Sequence, residues 1–219
     1  MPVLRRNDGA TLIEQLMSLL LGSVIILAVY GFYRAQLFHT LAQETKTATL
    51  EDARGALDII VRDLKNAGAW TDGAPPAETG AADDPDVDSD SVCNRIYKAT
   101  PAKIHIQMDL NGNGSCADAD PRENVRYELT GPTSTCSGTK IIRRNGDCLV
   151  ADVTTPLAGK LFTYFDAAGV ELGGAPDLAM IKRVRIAFSV RANNPDPGAN
   201  TNIVSELSTS VELRNYNRD

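Results

Sequence analysis

A carboxylate stands where carboxylates are costly. Glu14 opens an apolar run, and from Gln15 to Tyr33 nineteen consecutive positions carry no charge. An acidic side chain at the centre of a membrane helix costs about 2.5–3.5 kcal/mol on insertion scales, and less toward the helix end. A charge so placed needs a cationic partner. A cut after Gly9 would make one, since the new α-amino group of Ala10 in a neighbouring subunit could pair with Glu14.

A second set of residues carries oxygen ligands. Asp109, Asn111 and Asn113 occupy alternate positions and Gly114 follows, as in the opening of a calcium loop. Asp120 falls at the twelfth position, where an EF-hand prefers the longer Glu, and Asp118 and Glu123 stand nearby. The flanks read as strands, which excludes an EF-hand. The same residues also suit an Asn/Gly-rich hairpin loop. Calcium is the one cofactor suggested, with a plain turn as the alternative.

Four cysteines, Cys93, Cys116, Cys136 and Cys148, form no CxxC pair, and His39 and His105 are the only histidines. A zinc site is poorly supplied. In an oxidising compartment the thiols should form two disulfides. Neighbour pairing, Cys93–Cys116 and Cys136–Cys148, is the expectation. One feature opposes it: Asn145-Gly146 reads as a two-residue hairpin turn, which sets Cys148 opposite Arg143 rather than near Cys136. No nucleophile–His–acid set and no phosphate loop can be assembled, so no catalytic residue is assigned and no enzyme is expected. A net charge of −6 without a basic stretch argues against nucleic-acid binding.

These residues need elements to hold them. The uncharged run is close to the roughly 20 residues that span a bilayer core. Arg5 and Arg6 precede it, which keeps that end cytoplasmic. A cleaved signal peptide has a shorter apolar core; length alone does not separate this run from a plain signal anchor. Helical periodicity continues beyond it through Leu41, Ala48, Leu50, Ala53, Leu57, Ile60, Val61 and Leu64. Charged residues from Glu44 to Lys65, Asp63 among them, are assigned to the other faces. Gly68 offers a stop. One helix from Ala10 to Ala67 would be about 87 Å long, more than a globular domain of this size needs.

The segment Gly9-Ala10-Thr11-Leu12-Ile13-Glu14 resembles the prepilin processing motif, in which Gly closes a short basic leader and Glu is fifth in the mature chain. This chain has Ala10 where the family usually has Phe. The stretch Glu51–Gly68, with Ala-Arg-x-Ala-Leu then Arg-Asp-Leu before Ala-Gly, is similar to minor pilins of the PilW type. Phe162–Gly169 and Ser208–Asn215 share in that likeness, so it touches both ends of the chain and little of the middle. The resemblance implies removal of 1–9 by a prepilin peptidase and N-methylation of Ala10. It also implies work with other pilins or pseudopilins and an inner-membrane assembly platform. The head would lie in the periplasm and later in a pilus or pseudopilus at the cell surface. Gly22 falls where pilin helices often melt on assembly. The role implied is priming or capping of a type IV pilus. The alternatives are a J-class minor pseudopilin of type II secretion, or a pilin-anchored adhesin.

The expected fold is α+β and pilin-like: a long N-terminal helix, transmembrane in its first half, packed on an antiparallel sheet. Its parts are a leader (1–9), a transmembrane polymerisation helix (10–35), a periplasmic amphipathic half (36–68), an acidic loop (69–92) and a β-rich head (93–219). The stretch Trp70–Val92 has seven acidic residues and no basic one, which reads as an exposed loop with partner or calcium binding as the alternative. Strands are expected at Ile104–Met108, Val125–Leu129, Lys140–Arg143, Leu149–Val153 and Leu161–Phe165. Two last strands, around Val184–Val190 and Ile203–Leu213, should pair across the Asn193–Asn200 loop.

Overall fold

The computed structural model describes residues 11–70, 93–114, 121–154, 159–196, 198 and 202–214. The expected leader, the cut at Gly9–Ala10 and the acidic stretch 71–92 lie outside them. Helix α1 (Leu12–Asn66) is continuous over 55 residues, about 82 Å at 1.5 Å per residue. Gly68 takes φ +72° just past its end, the left-handed conformation that glycine adopts without steric cost. The Gly68 N–H donates to the Gln107 carbonyl at 2.9 Å, which turns the chain onto the head. A Cβ at this position would meet Arg95 Cγ at 2.8 Å. Gly68→Ala is therefore expected to destabilise the protein by about 1–3 kcal/mol, read as a lowered urea midpoint.

The head is built from two antiparallel sheets. The first is a meander in chain order: β1 (Ile96–Ala99), β2 (Lys103–Gln107), β3 (Asn124–Thr130), β4 (Ile141–Arg144) and β5 (Asp147–Val150). The β4–β5 turn places Asn145 at φ 50° and Gly146 at φ 94°, both positive as a type I′ hairpin requires. Asn145 also ties the turn to β3. Its Oδ1 accepts from the Arg126 N–H at 2.7 Å and its Nδ2 donates to the Pro121 carbonyl at 2.7 Å.

The second sheet holds β6 (Val153–Thr154), β7 (Phe162–Phe165), β8 (Glu171–Leu172), β9 (Arg183–Ala192) and β10 (Ile203–Glu212). Its order is β10-β9-β7-β8, with β6 also on β9. The last two strands pair over their full ten residues, as their alternation predicts. The single sheet expected from sequence is corrected to two. Leu149–Val153 is not one strand: Asp152 sits at φ 51° and breaks it. β5 ends on the first sheet, and Val153 pairs with Val190 on the second. Short polar Asp tolerates this left-handed geometry.

The fold is α+β, with one core shared by all three layers. Ala53, Ala56, Ile60 and Leu64 of α1 pack with Ile104, Ile106, Val125 and Ile142 of the first sheet and Phe162, Val184, Ile186, Phe188, Leu207 and Val211 of the second. The alternation of β9 puts Val184, Ile186, Phe188 and Val190 inside.

Candidate assembly site on the N-terminal helix

Helix α1 divides into two halves of different character. Fifteen large apolar side chains between Leu12 and Tyr33 remain 56–80% exposed. Full burial is worth about 1.5–3 kcal/mol for each such side chain, so this surface represents tens of kcal/mol unrealised in the isolated chain. The helix is long and apolar enough to cross a membrane, and none of its apolar window is buried within the chain. Small residues leave a shallow groove of about 370 Å³ along Gln15, Ser18, Leu19, Gly22, Ser23 and Ile26.

Glu14 lies in the first turn of this exposed half. Thr11 is the N-cap, and its Oγ1 accepts from the Glu14 N–H at 3.4 Å. Thr11-x-x-Glu14 is the pattern of a capping box, a signal visible in the sequence. Glu14 therefore has a local use: a carboxylate near a helix N-terminus is favourable. Among the described residues its carboxylate takes no hydrogen bond or ion pair.

The second half of α1 is fastened to the head. The buried stripe runs Ala53, Ala56, Ile60, Leu64 and Ala67, with Leu50, Leu57 and Val61 partly buried beside it. Asp63 belongs to this face and not to the solvated ones, which corrects its assignment from sequence. It is buried, and its Oδ2 accepts from the Tyr127 hydroxyl at 2.6 Å and from Arg144 Nε at 3.0 Å. Arg144 Nη2 also lies 3.0 Å from the same oxygen, and Arg144 Nε donates to the Tyr127 hydroxyl at 3.2 Å. Burial, and then the Asp63 carboxylate, push the Tyr127 hydroxyl far above its ordinary range. Desolvation acts to lower Arg144, but the hydrogen bond and charge of Asp63 outweigh it and raise it. One helix residue thus joins β3 and β4 through a charged, hydrogen-bonded knot. The sequence signal was partial: Tyr127 shares the buried parity of Val125, and a buried tyrosine hydroxyl needs a partner.

The structure uses the loop at Asp109 for a turn of its own. Asp109 Oδ1 accepts from the N–H groups of Gly112 and Asn113 at 2.8 and 3.2 Å, and Oδ2 accepts from that of Gly114 at 3.2 Å. Glu123, fully buried, accepts from the N–H groups of Leu110 and Asn111 at 2.8 and 2.7 Å. Asn111 Oδ1 accepts from the Asn113 N–H at 2.8 Å. Asp118 and Asp120 lie outside the described residues. Among the described residues no three His, Cys, Asp or Glu side chains converge as a metal site. Glu123→Ala is expected to destabilise by about 1–3 kcal/mol, because two partly buried amides lose their carboxylate acceptor. EDTA is expected to leave the melting temperature of the parent chain within about 1 °C, whereas calcium binding at 100 times its Kd would add about 2.7 kcal/mol.

Cys136 and Cys148 form a disulfide with Cα atoms 5.7 Å apart. Cys148 also faces Arg143 across the β4–β5 hairpin. The turn and the pairing coexist because the 131–140 segment folds back over β5. Cys93 is disulfide-bonded as well; Cys116 lies outside the described residues. Buried Trp70 packs against Cys93 where the chain enters the head.

Comparison of the chain with protein-family models, curated proteins and solved structures finds no match.

Proposed function

We propose that the chain is a minor type IV pilin of the PilW type, anchored by the first half of α1 and incorporated into a filament through it. The observation that carries this reading is the division of one unbroken helix. Its N-terminal half presents an apolar surface with Glu14 in the first turn, while its C-terminal half is built into the head. A plain anchor has no need for rigid continuity between membrane and head, nor for a carboxylate at the lipid edge. A filament subunit needs both, because helix packing transmits position to the head and a neighbouring chain end neutralises Glu14.

In this reading, a cut after Gly9 frees the Ala10 amino group four residues before Glu14. The apolar half of α1 moves from lipid to the packed helices of a filament without exposure to water. The groove around Gly22 favours close helix approach, as small residues do in membranes. The head takes its orientation from α1 through Asp63. Fractionation tests the proposal: tagged full-length chain is expected in sheared surface filaments of cells with prepilin peptidase and only in membranes of cells lacking it. Its presence in membranes alone in both strains would refute the reading.

A further inference from the structure

Two sheets have edges, and among the described residues the edges are not alike. β1 has four residues with a register shift between Ile96 and Lys98. β5 has four, next to a register shift in β4, and is cross-linked through Cys148. β6 and β8 have two each. Shortness and bulges are the usual guards against unwanted strand pairing. β10 has none of them. It runs ten residues in unbroken register with β9 and contains no Pro, Lys or Arg.

The direction of its backbone groups follows from one bond. The Leu213 N–H donates to the Lys182 carbonyl, so by antiparallel alternation the odd residues of β10 bond to β9. Val204, Glu206, Ser208, Ser210 and Glu212 then point their N–H and C=O groups away from the sheet. Among the described residues, no strand lies on that side. These five side chains are exposed, whereas Leu207 and Val211 are buried beneath them. On the open face Glu206 lies opposite Ser189, Glu212 opposite Arg183, Ser210 opposite Arg185 and Val204 opposite Arg191, so the cations of this face stand on β9 and the outermost strand carries only acids.

We propose that the open edge of β10 receives an extended strand from a different protein, with basic residues at two positions six apart on the solvent face, opposite Glu206 and Glu212. Charge decides the occupant. A second copy pairing β10 to β10 would set the four carboxylates of the two edge strands against one another, with the arginines of β9 one strand further back. A strand with Lys or Arg at those positions satisfies the five outward amides and both acids. The inference is independent of the pilin reading, since it rests on the edge alone.

The test uses the full-length chain in detergent and two capped, fluorescent peptides, Lys-Val-Thr-Val-Thr-Val-Lys and Glu-Val-Thr-Val-Thr-Val-Glu. Anisotropy is expected to show the Lys peptide binding at least about tenfold more tightly, since two pairs change from attraction to repulsion. Ser208→Pro removes an outward N–H without loss of a ladder bond and is expected to abolish binding. Where Ser208→Pro does not fold, the exposed pair Glu206→Lys with Glu212→Lys serves, and is expected to reverse the peptide preference. Equal binding of the two peptides, or binding of neither, would overturn the proposal. So would a dimer of the full chain that Ser208→Pro converts to monomer, because the occupant would then be a second copy.

Discussion

Glu14→Gln is expected to be inserted and cut as the parent chain is, and to fall in filament incorporation on the order of 100-fold. The choice of Gln separates two roles. The cap bond runs from the backbone N–H of residue 14 to Thr11 Oγ1 and does not depend on the side chain at 14, so the helix N-terminus keeps its local support. What Gln removes is the charge. In a filament, the amino group of a neighbouring chain end would then lie in an apolar setting with no counter-charge, and an uncompensated buried charge is far more costly than a missing surface pair. Glu14→Asp keeps the charge and shortens the arm, and is expected to give partial incorporation. Quantitative immunoblots of sheared filaments against whole membranes read all three. Full incorporation of Glu14→Gln would leave Glu14 only a favourable charge at a helix N-terminus.

Asp63→Ala is expected to destabilise the head by about 3–5 kcal/mol, a large share of the 5–15 kcal/mol that holds an ordinary domain folded. The loss has two sources. Arg144 keeps its charge beside the core with no carboxylate, and the fully buried Tyr127 hydroxyl loses its acceptor. Asp63→Asn retains an acceptor for Tyr127 but no charge for Arg144, and is expected to fall between Ala and the parent. Replacing the whole knot, as Asp63→Leu with Tyr127→Phe and Arg144→Met, is expected to cost much less than Asp63→Ala, because no polar group is left stranded. Urea unfolding of the full-length chain in detergent, followed by tyrosine fluorescence, measures the series. A triple variant as unstable as Asp63→Ala would show that packing, not the stranded charge, sets the loss.

The long elements were legible in the sequence because their periods are long. About fifteen turns of apolar and amphipathic helix leave little choice of structure, and the ten-residue alternation of β9 fixes its buried face as Val184, Ile186, Phe188 and Val190. The Asn145-Gly146 hairpin was legible for a different reason, since few residue pairs accept two positive φ angles. Short-range pattern does not report a kink. Leu149–Val153 alternates well enough for one strand, and only the left-handed Asp152 divides it between two sheets. β1 escaped the reading because Ile96-Tyr97-Lys98-Ala99 is too short to display a period. Asp63 was misassigned because a charged residue on a helix is normally solvated. Its partners stand 64 and 81 residues away, and helical spacing carries no information about them. The Asp109 loop reads two ways in the sequence because a turn that gathers its own amides and a turn that gathers a cation use the same short acids and glycines.

The intact mass of the mature chain tests the central claim most directly. Purified from membranes of cells with an active prepilin peptidase, the protein is expected to have lost 1–9 and to begin at N-methylated Ala10. In cells without that peptidase it should retain Met1 or its successor Pro2. A mature chain that keeps the leader in both strains, or one cut beyond the apolar run near Ala28–Gln36, would contradict the account, because no chain end would then be available to answer Glu14.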